Sequence, residues 1–161
     1  MKKPTKQQVE VALSQVADRL SAARTQLILR QPFFGALILR LKMAPATHIV
    51  ARLPDGQTAA QANPTMITDS VSIYYNPAFV MELTNAELRG ALCHEVLHVA
   101  GGHCWRQGAR QARKWNVACD YAINPIIASL GKEIVLRKEW LLDAKYAGMS
   151  AEEIYSKLPP G

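Results

Sequence analysis

The chain has 161 residues, of which 49% are hydrophobic and 20% are charged. This length suffices for one domain with its own core, and this balance excludes a disordered chain. The longest apolar stretches, such as residues 33–39, are too short to cross a bilayer, and no apolar segment of a signal peptide follows the basic N-terminus. The three cysteines show no pattern of disulfide pairs. We therefore expect a cytoplasmic protein with no membrane partner.

The formal net charge is +6 at pH 7, which is compatible with an acidic partner such as nucleic acid. Most basic residues are scattered, and the one dense group lies between Arg106 and Lys114. This group shows no interleaved aromatic residues of the kind that stack on bases. We interpret the charges as a solvated surface and do not expect a nucleic-acid partner.

The N-terminal half is predicted to begin with two helices and to continue with short strands. Thr5 caps the first helix, whose apolar residues recur at helical spacing. The predicted elements are a helix to about Arg30, a helix from Phe33 to Met43, a strand at 47–53, a turn at Pro54-Asp55-Gly56, a loop at 58–65, and either two short strands or one bent strand at 66–75.

The C-terminal half is predicted to be mostly helical. A short helix begins after Asn76, and residues 84–87 form a capping box, with Thr84 and Glu87 as its partners, that opens a longer helix. That helix is expected to end or distort at Gly101-Gly102. The remaining predicted elements are a helix from about Trp115 to Leu130 kinked at Pro125, a short strand at 133–136, an irregular stretch at 140–149, and a last helix capped by Ser150.

The sequence HEVLHVAGGH, residues 94–103, contains three of the four histidines and an HExxH motif. On a helix, His94, Glu95 and His98 share one face, while apolar residues fill the other. Two neutral imidazoles one turn apart can bind one Zn²⁺, and the glutamate can act as general base for a water that attacks a peptide carbonyl. The motif therefore predicts His94 and His98 as zinc ligands and Glu95 as the catalytic residue. A polar face with solvent-exposed histidines is the alternative.

A zinc site of this kind needs a third protein ligand, and His103 is the nearest candidate in the sequence. If the helix continued, His103 would lie about 180° from His94, on the apolar face. It reaches the metal only if the double glycine breaks the helix sharply. We therefore expect His103 to lie beside the ligands without binding the metal. The alternative is that His103 itself is the third ligand.

Asp120 is the better candidate for the third ligand. On a helix, Asn116, Asp120 and Asn124 form a narrow polar stripe among apolar residues. A carboxylate on an otherwise buried helix needs a cation, which zinc supplies. The alternative is a buried Asp120 paired with Arg113. We predict Asp120 as the ligand and place Asn116 and Asn124 beside the ligands or as alternatives to them.

Several motifs, in order, resemble one protein family. Residues 68–103, 115–124 and 148–155 resemble the prokaryotic putative metallopeptidase domain family, whose members usually stand N-terminal to a von Willebrand factor A-like domain. The resemblance covers residues 30–158. It implies a zincin-like fold related to the smallest gluzincins, with His94 and His98 as ligands, Glu95 as the catalytic carboxylate and the Asp120 segment as the third-ligand helix.

The chain departs from the family pattern in two ways. Ser70 stands where the family usually has glycine, which implies a slightly altered turn before the following strand. The A-like domain is also missing from the sequence. We interpret the chain as an excised domain or as a variant whose A-like partner is encoded elsewhere.

The strand that precedes the motif helix is predicted to bind substrate. In zincins such a strand forms the edge of the cleft, and an extended peptide adds to it through main-chain hydrogen bonds. Residues 70–75 occupy this position in the sequence, so we predict that Ser70, Val71, Ser72, Ile73, Tyr74 and Tyr75 line the cleft. The alternative is an interior strand that is paired on both sides.

These observations predict one α+β domain over residues 1–161, with an N-terminal helix at 1–30 and a zincin-like core at 31–158 whose helices pack on a small twisted sheet. The predicted function is zinc-dependent hydrolysis of peptide bonds in a peptide or protein substrate. One alternative is a zinc-binding interaction module without catalysis, working with the A-like domain or an ATPase. The other is a DNA-associated metalloprotease that contacts phosphates through residues 106–114.

Overall fold

The computed structural model describes residues 2–53 and 55–161. This part of the chain contains seven α-helices and five short strands. The helices are α1 (Lys6–Arg30), α2 (Pro32–Ile38), α3 (Pro77–Glu82), α4 (Asn85–Ala100), α5 (His103–Arg106), α6 (Ala112–Ala128) and α7 (Ala151–Lys157), and a 3-10 helix spans Ala144–Tyr146. The strands are β1 (Lys42–Pro45), β2 (His48–Arg52), β3 (Thr58–Ala62), β4 (Met66–Thr68) and β5 (Ser72–Tyr75). The predicted α+β class is confirmed.

Side-chain caps set the starts of α1, α4 and α7, as the sequence indicated. Thr5 accepts a hydrogen bond from the Gln8 backbone N–H and forms a capping box with that residue at the start of α1. Thr84 forms the same arrangement at the start of α4. Ser150 accepts from the Glu153 backbone N–H at the start of α7. None of the described helices has both the length and the apolar character required to cross a bilayer.

The strands form a three-stranded sheet, in the order β1-β5-β4, and a separate hairpin of β2 and β3. Strand β5 runs parallel to β1 and antiparallel to β4, so it is paired on both sides. The prediction that residues 70–75 form the edge of the cleft is therefore wrong. Strand β4 is the outer strand on that side, because the chain reverses at Asp69-Ser70 and lays β5 inside β4.

Two predicted elements of the N-terminal half need correction. Helix α2 ends at Ile38, because residues 42–45 pair with β5 and Met43 lies opposite Ile73. Residues 58–62, predicted as part of a loop, form β3, which is held by antiparallel pairing with β2. The first difference comes from a strand about 30 residues away, and the second from the adjoining strand of a hairpin; in both cases strand pairing overrides local propensity. The predicted turn includes Pro54, which lies outside the described residues.

Ser70 has a φ of 75°, the left-handed region that glycine adopts without steric cost. The turn is held by Asp69, whose carboxylate accepts hydrogen bonds from the backbone N–H groups of Val71 and Ser72, at 2.9 and 2.7 Å. A non-glycine residue in this conformation costs roughly 1–2 kcal/mol. The conformation explains why glycine suits this position, and Ser70 adopts it despite its side chain.

The main core lies between α1, the sheet and α4. Helix α4 contributes the fully buried Leu88, Leu92 and Val96 on one face, which pack in one cluster with Val16 of α1 and Ile73 of β5. Burial of this face orients α4, so that its opposite face carries the histidines toward α6. The core thus fixes the direction in which the motif residues project.

An irregular segment, not the predicted strand at 133–136, crosses the outside of α4. The backbone N–H of Val135 donates to the carbonyl oxygen of Ala86, at 3.1 Å. A Cβ atom at Gly90 would lie 2.1 Å from the carbonyl oxygen of Val135, so only glycine allows this approach. The close contact brings the following residues, Trp140 and Leu141, to the histidine face of α4.

Candidate metal centre

The motif helix α4 breaks at the double glycine. Gly102 has a φ of 64°, in the left-handed region, and the chain then enters the short helix α5 at His103. The guanidinium of Arg106 donates to the carbonyl oxygen of Gly101 and holds this turn. His103 is buried, with 8% of its surface exposed, but it does not continue the apolar face of α4. The sequence argument that placed it there on a continued helix is corrected by this break.

Three side chains converge between α4 and α6. The Nε2 atoms of His94 and His98 lie 3.0 Å apart, and each lies 3.2 Å from Oδ1 of Asp120. In a tetrahedral zinc site with bonds of about 2.0–2.1 Å, neighbouring donor atoms lie about 3.3 Å apart. The three donor atoms therefore have the spacing and the chemistry that a small divalent cation requires.

The partners of Asp120 distinguish the two interpretations of its carboxylate, which is partly buried, with 31% of the side chain exposed. Within residues 2–53 and 55–161, Asp120 makes ion-pair contacts with His94 and His98 and none with Arg113, which is exposed. The carboxylate thus faces α4 and not its own helix. A cation between the three side chains would compensate the negative charge of this partly buried carboxylate.

Asn124 fixes the orientation of His94. Its amide Nδ2 donates to the carbonyl oxygen of Leu141, at 2.7 Å, which leaves Oδ1 facing Nδ1 of His94 at 2.8 Å. The hydrogen-bond network therefore assigns the proton of the neutral imidazole to Nδ1 and a lone pair to Nε2. A hydrogen bond to the ring nitrogen that does not face the metal is typical of histidines that bind metals. Asn124 is 1% exposed. Its position on the polar stripe with Asn116 and Asp120 was the signal in the sequence that placed it near the ligands.

The electrostatics of the site favour positive charge. Burial would lower the pKa of His94, but the hydrogen bond with Asp120 and the charges of Glu95 and Asp120 raise this pKa to about 9. Burial opposes ionisation of Asp120, yet the hydrogen bonds and charges of His94 and His98 hold its pKa well below the usual range. A proton or a metal ion can carry this positive charge, so metal binding must displace the proton of His94.

Glu95 lines the same cleft and is 5% exposed. Burial raises the pKa of its carboxyl group, against the opposing charges of His94 and His98. A carboxylate with a raised pKa accepts a proton more readily than a free carboxylate does. These are the properties of a general base, and later of a general acid.

A second set of potential ligands shares His98 with the first. Donor atoms of His98, His103 and Cys119 all lie within 4.8 Å of one another. Burial raises the pKa of the Cys119 thiol to about 12, which disfavours the thiolate that binds metals. The set with Asp120 includes an ionised carboxylate, so its chemistry suits a cation better.

The histidines open into a cleft of about 440 Å³. Its walls come from β4, α4, α6 and the segment that crosses α4, whose Trp140 ring lies 5.8 Å from the ring of His94. Asn116 lines the cleft but is exposed, whereas none of residues 70–75 lines it. The roles of β4 and Trp140 were missed, because no local pattern in the sequence marks either of them.

Three members of the dense basic group make contacts within the chain, while the fourth, Arg113, is exposed. The guanidinium of Arg106 forms a bidentate pair with Glu152 of α7. Arg110 lies over the rings of Trp115 and Tyr155, at 5.2 and 5.8 Å, and Lys114 lies 4.5 Å from the ring of Tyr155. These contacts hold α7 against α5 and α6, which gives the basic side chains a structural role.

Fold and site together define an α+β domain with a candidate metal centre between two helices. The chain belongs to the family described as "Putative metallopeptidase domain", whose model matches residues 15–161. The resemblance inferred from the sequence is thereby confirmed, and the family description implies a metal and a peptidase activity. Comparisons with curated proteins and with solved structures give no match.

Proposed function

We propose that this domain is a zinc-dependent peptidase with a zincin-like arrangement of its site. The observation that carries the proposal is the convergence of Nε2 of His94, Nε2 of His98 and Oδ1 of Asp120 in a cleft that Glu95 also lines. Two imidazoles and one carboxylate are the ligands of a catalytic zinc site that keeps its fourth position open.

Each residue of the site has a distinct task in hydrolysis. A zinc ion held by the three donor atoms would supply Lewis acidity. Glu95 takes a proton from the attacking water and delivers it to the leaving amine. Asn124 holds His94 in the orientation that directs Nε2 into the site. Trp140, beside His94, limits the access of bulk water on that side.

The outer edge of β4 is the proposed docking strand for an extended substrate. The backbone N–H of Asn76 donates to the carbonyl oxygen of Thr65, and that of Asp69 donates to the carbonyl oxygen of Ser72. Along a strand of an antiparallel pair, the residues whose main-chain groups face the partner strand alternate with residues whose main-chain groups face away from it. Thr65 and Asp69 face β5, so the main-chain groups of Met66 and Thr68 point away from β5. Both residues line the cleft, where a peptide strand can pair with them once it displaces the Cys104 thiol, whose Sγ lies 3.6 Å from the carbonyl oxygen of Thr68.

Single N-methylation of a bound peptide tests this docking mode. Binding to the Glu95→Gln protein should weaken at every second amide only, because successive N–H groups of an extended peptide point to opposite edges. Peptides methylated at the intervening amides serve as matched controls, and affinity is measured by calorimetry. Uniform losses, or none, would contradict pairing with β4.

Two other functions are less well supported. A zinc-binding interaction module would keep the donor set but has no need of a buried Glu95 with a raised pKa. A DNA-associated protease would need several free basic side chains, whereas Arg106, Arg110 and Lys114 make contacts within the chain and only Arg113 of this group is exposed without such a contact among the described residues. An A-like domain as partner follows from the resemblance alone, and an ATPase as partner belongs to the interaction-module alternative. The three free cysteines, one of them exposed, favour work in the reducing cytoplasm.

Metal-dependent hydrolysis is the direct test of the proposed function. The purified protein should cleave unfolded polypeptides with zinc bound, lose this activity on chelation and regain it when zinc is returned. Cleavage sites are mapped by mass spectrometry. Full zinc occupancy without cleavage would favour the interaction module, and undiminished cleavage by the metal-stripped protein would contradict the proposal.

A further inference from the structure

His98 has a contact on each of its ring nitrogens. Its Nε2 faces His94 and Asp120, while its Nδ1 lies 3.0 Å from Nδ1 of His103. A neutral imidazole carries one proton, so His98 can offer a lone pair at Nε2 only when the proton is on Nδ1. The atom that faces this proton, Nδ1 of His103, must then act as the acceptor.

We propose that His103 is a positioning residue, which accepts the Nδ1–H of His98 and so aims Nε2 of His98 at the metal. The inference rests on the proposed zinc site and deepens it. His103 acts through His98, without contacting the metal. This role differs from that of a third ligand, and it differs from that of a buried histidine without function.

The other histidine of the site, His94, makes an equivalent contact through its Nδ1 atom. Oδ1 of Asn124 accepts from Nδ1 of His94, as His103 is proposed to do for His98. Oδ1 of asparagine and Nδ1 of histidine both follow Cγ, so the two acceptors lie at the same distance from their backbones. Each imidazole of the site thus has its own acceptor, and asparagine should be able to replace His103.

The surrounding structure holds the ring of His103 in place. The indole N–H of Trp115 donates to the carbonyl oxygen of His103 across 3.0 Å, in a buried hydrogen bond. Gly102 supplies the left-handed turn that leads into α5. A Cβ atom at Gly101 would lie 2.6 Å from Nε2 of His103, so the glycine leaves room for the ring. Both glycines therefore serve the placement of this side chain.

Helix α7 supports the same turn from outside. Arg106 connects the carbonyl oxygen of Gly101 to the carboxylate of Glu152. The pair is partly exposed, but its bidentate geometry fixes the planar guanidinium. The turn that presents His103 is thus held from α6 by Trp115 and from α7 by Glu152.

The test compares His103→Leu with His103→Asn in the full chain. Leucine and asparagine have similar shapes, with two heavy atoms on Cγ, but only asparagine offers an acceptor. Zinc affinity is measured by competition with a chelator, and coordination is followed by the visible spectrum of the cobalt-substituted protein. We expect the leucine variant to bind zinc about 10–100-fold more weakly, and the asparagine variant to recover most of this loss. The cobalt spectrum should keep the intensity of the wild type in both.

Each other result would overturn the inference in a recognisable way. Wild-type affinity in the leucine variant would show that His103 does not act on His98, with the zinc site itself intact. Equal weakening in both variants would exclude hydrogen-bond acceptance. A thiolate band in the wild-type cobalt spectrum that both variants lose would make His103 a ligand together with Cys119. Absence of zinc binding by the wild type would remove the proposed function as well. If the leucine variant does not fold, His103→Phe, a ring without an acceptor, takes its place.

Discussion

Replacing Asp120 with alanine should remove zinc from the protein, with a loss of affinity of more than about 100-fold, beyond that typical of an outer contact. The carboxylate is the one charged donor in the set, and two imidazoles alone leave the cation poorly held. The zinc-dependent part of the thermal stability should be lost together with the metal, because zinc binding contributes free energy to folding. Metal content after dialysis and thermal denaturation with and without zinc measure the two effects.

Asn116→Ala is the matched control for this variant. Asn116 lies one turn before Asp120 on α6 and lines the same cleft, but it is exposed. Asp120 also contacts His94 directly, so its removal changes the metal-free protein too. The increase in melting temperature on adding zinc reports metal binding separately from any change in the metal-free protein. This increase should persist in Asn116→Ala and vanish in Asp120→Ala. A full site in Asp120→Ala, combined with an empty one in His103→Ala, would contradict the assignment of the third ligand.

Replacing Glu95 with glutamine should keep the zinc and abolish most of the hydrolysis. The amide can hydrogen-bond to the attacking water but cannot take its proton, and loss of a general base typically lowers the rate about 10²–10⁴-fold. The raised pKa of Glu95 in the wild type supports this role. The rate of cleavage of an unfolded polypeptide and the zinc content of the same samples provide the comparison.

Glu87→Gln controls for the loss of a carboxylate on the same helix. Glutamine at this position can still accept the hydrogen bond from the backbone N–H of Thr84, so the capping box is kept. The ion pair of Glu87 with Arg137, at 3.5 Å, is lost, but such a partly exposed pair contributes only up to about 1 kcal/mol to stability. This variant should cleave at the wild-type rate. Equal cleavage by Glu95→Gln and wild type would remove Glu95 from the mechanism.

The sequence predicted best those features that depend on neighbours within a few turns of a helix. The placement of His94, Glu95 and His98 on one face followed from helical spacing, and the capping box of α4 located the start of that helix. Asp120 required one more step, the argument that a buried carboxylate needs a cation. Its position opposite the histidines agrees with that argument, although the ligand assignment itself remains a prediction.

The remaining features depend on contacts between distant segments. Whether β4 or β5 lies at the edge is decided by the pairing of β5 with β1, which lies about 30 residues earlier in the chain. The segment that carries Trp140 is placed by the absence of a side chain at Gly90. His103 illustrates both cases: the double glycine signalled a break in the helix, but only the direction after the break shows that the ring meets His98.

Anomalous scattering at the zinc edge, measured on crystals of the zinc-loaded protein, tests the metal centre most directly. It identifies the element and locates it among the donor atoms in one experiment. We expect one zinc peak per chain, bound by Nε2 of His94, Nε2 of His98 and a carboxylate oxygen of Asp120, with His103 in contact with His98 and not with the metal. A peak between His98, His103 and Cys119, or no peak at either position, would contradict the proposed centre.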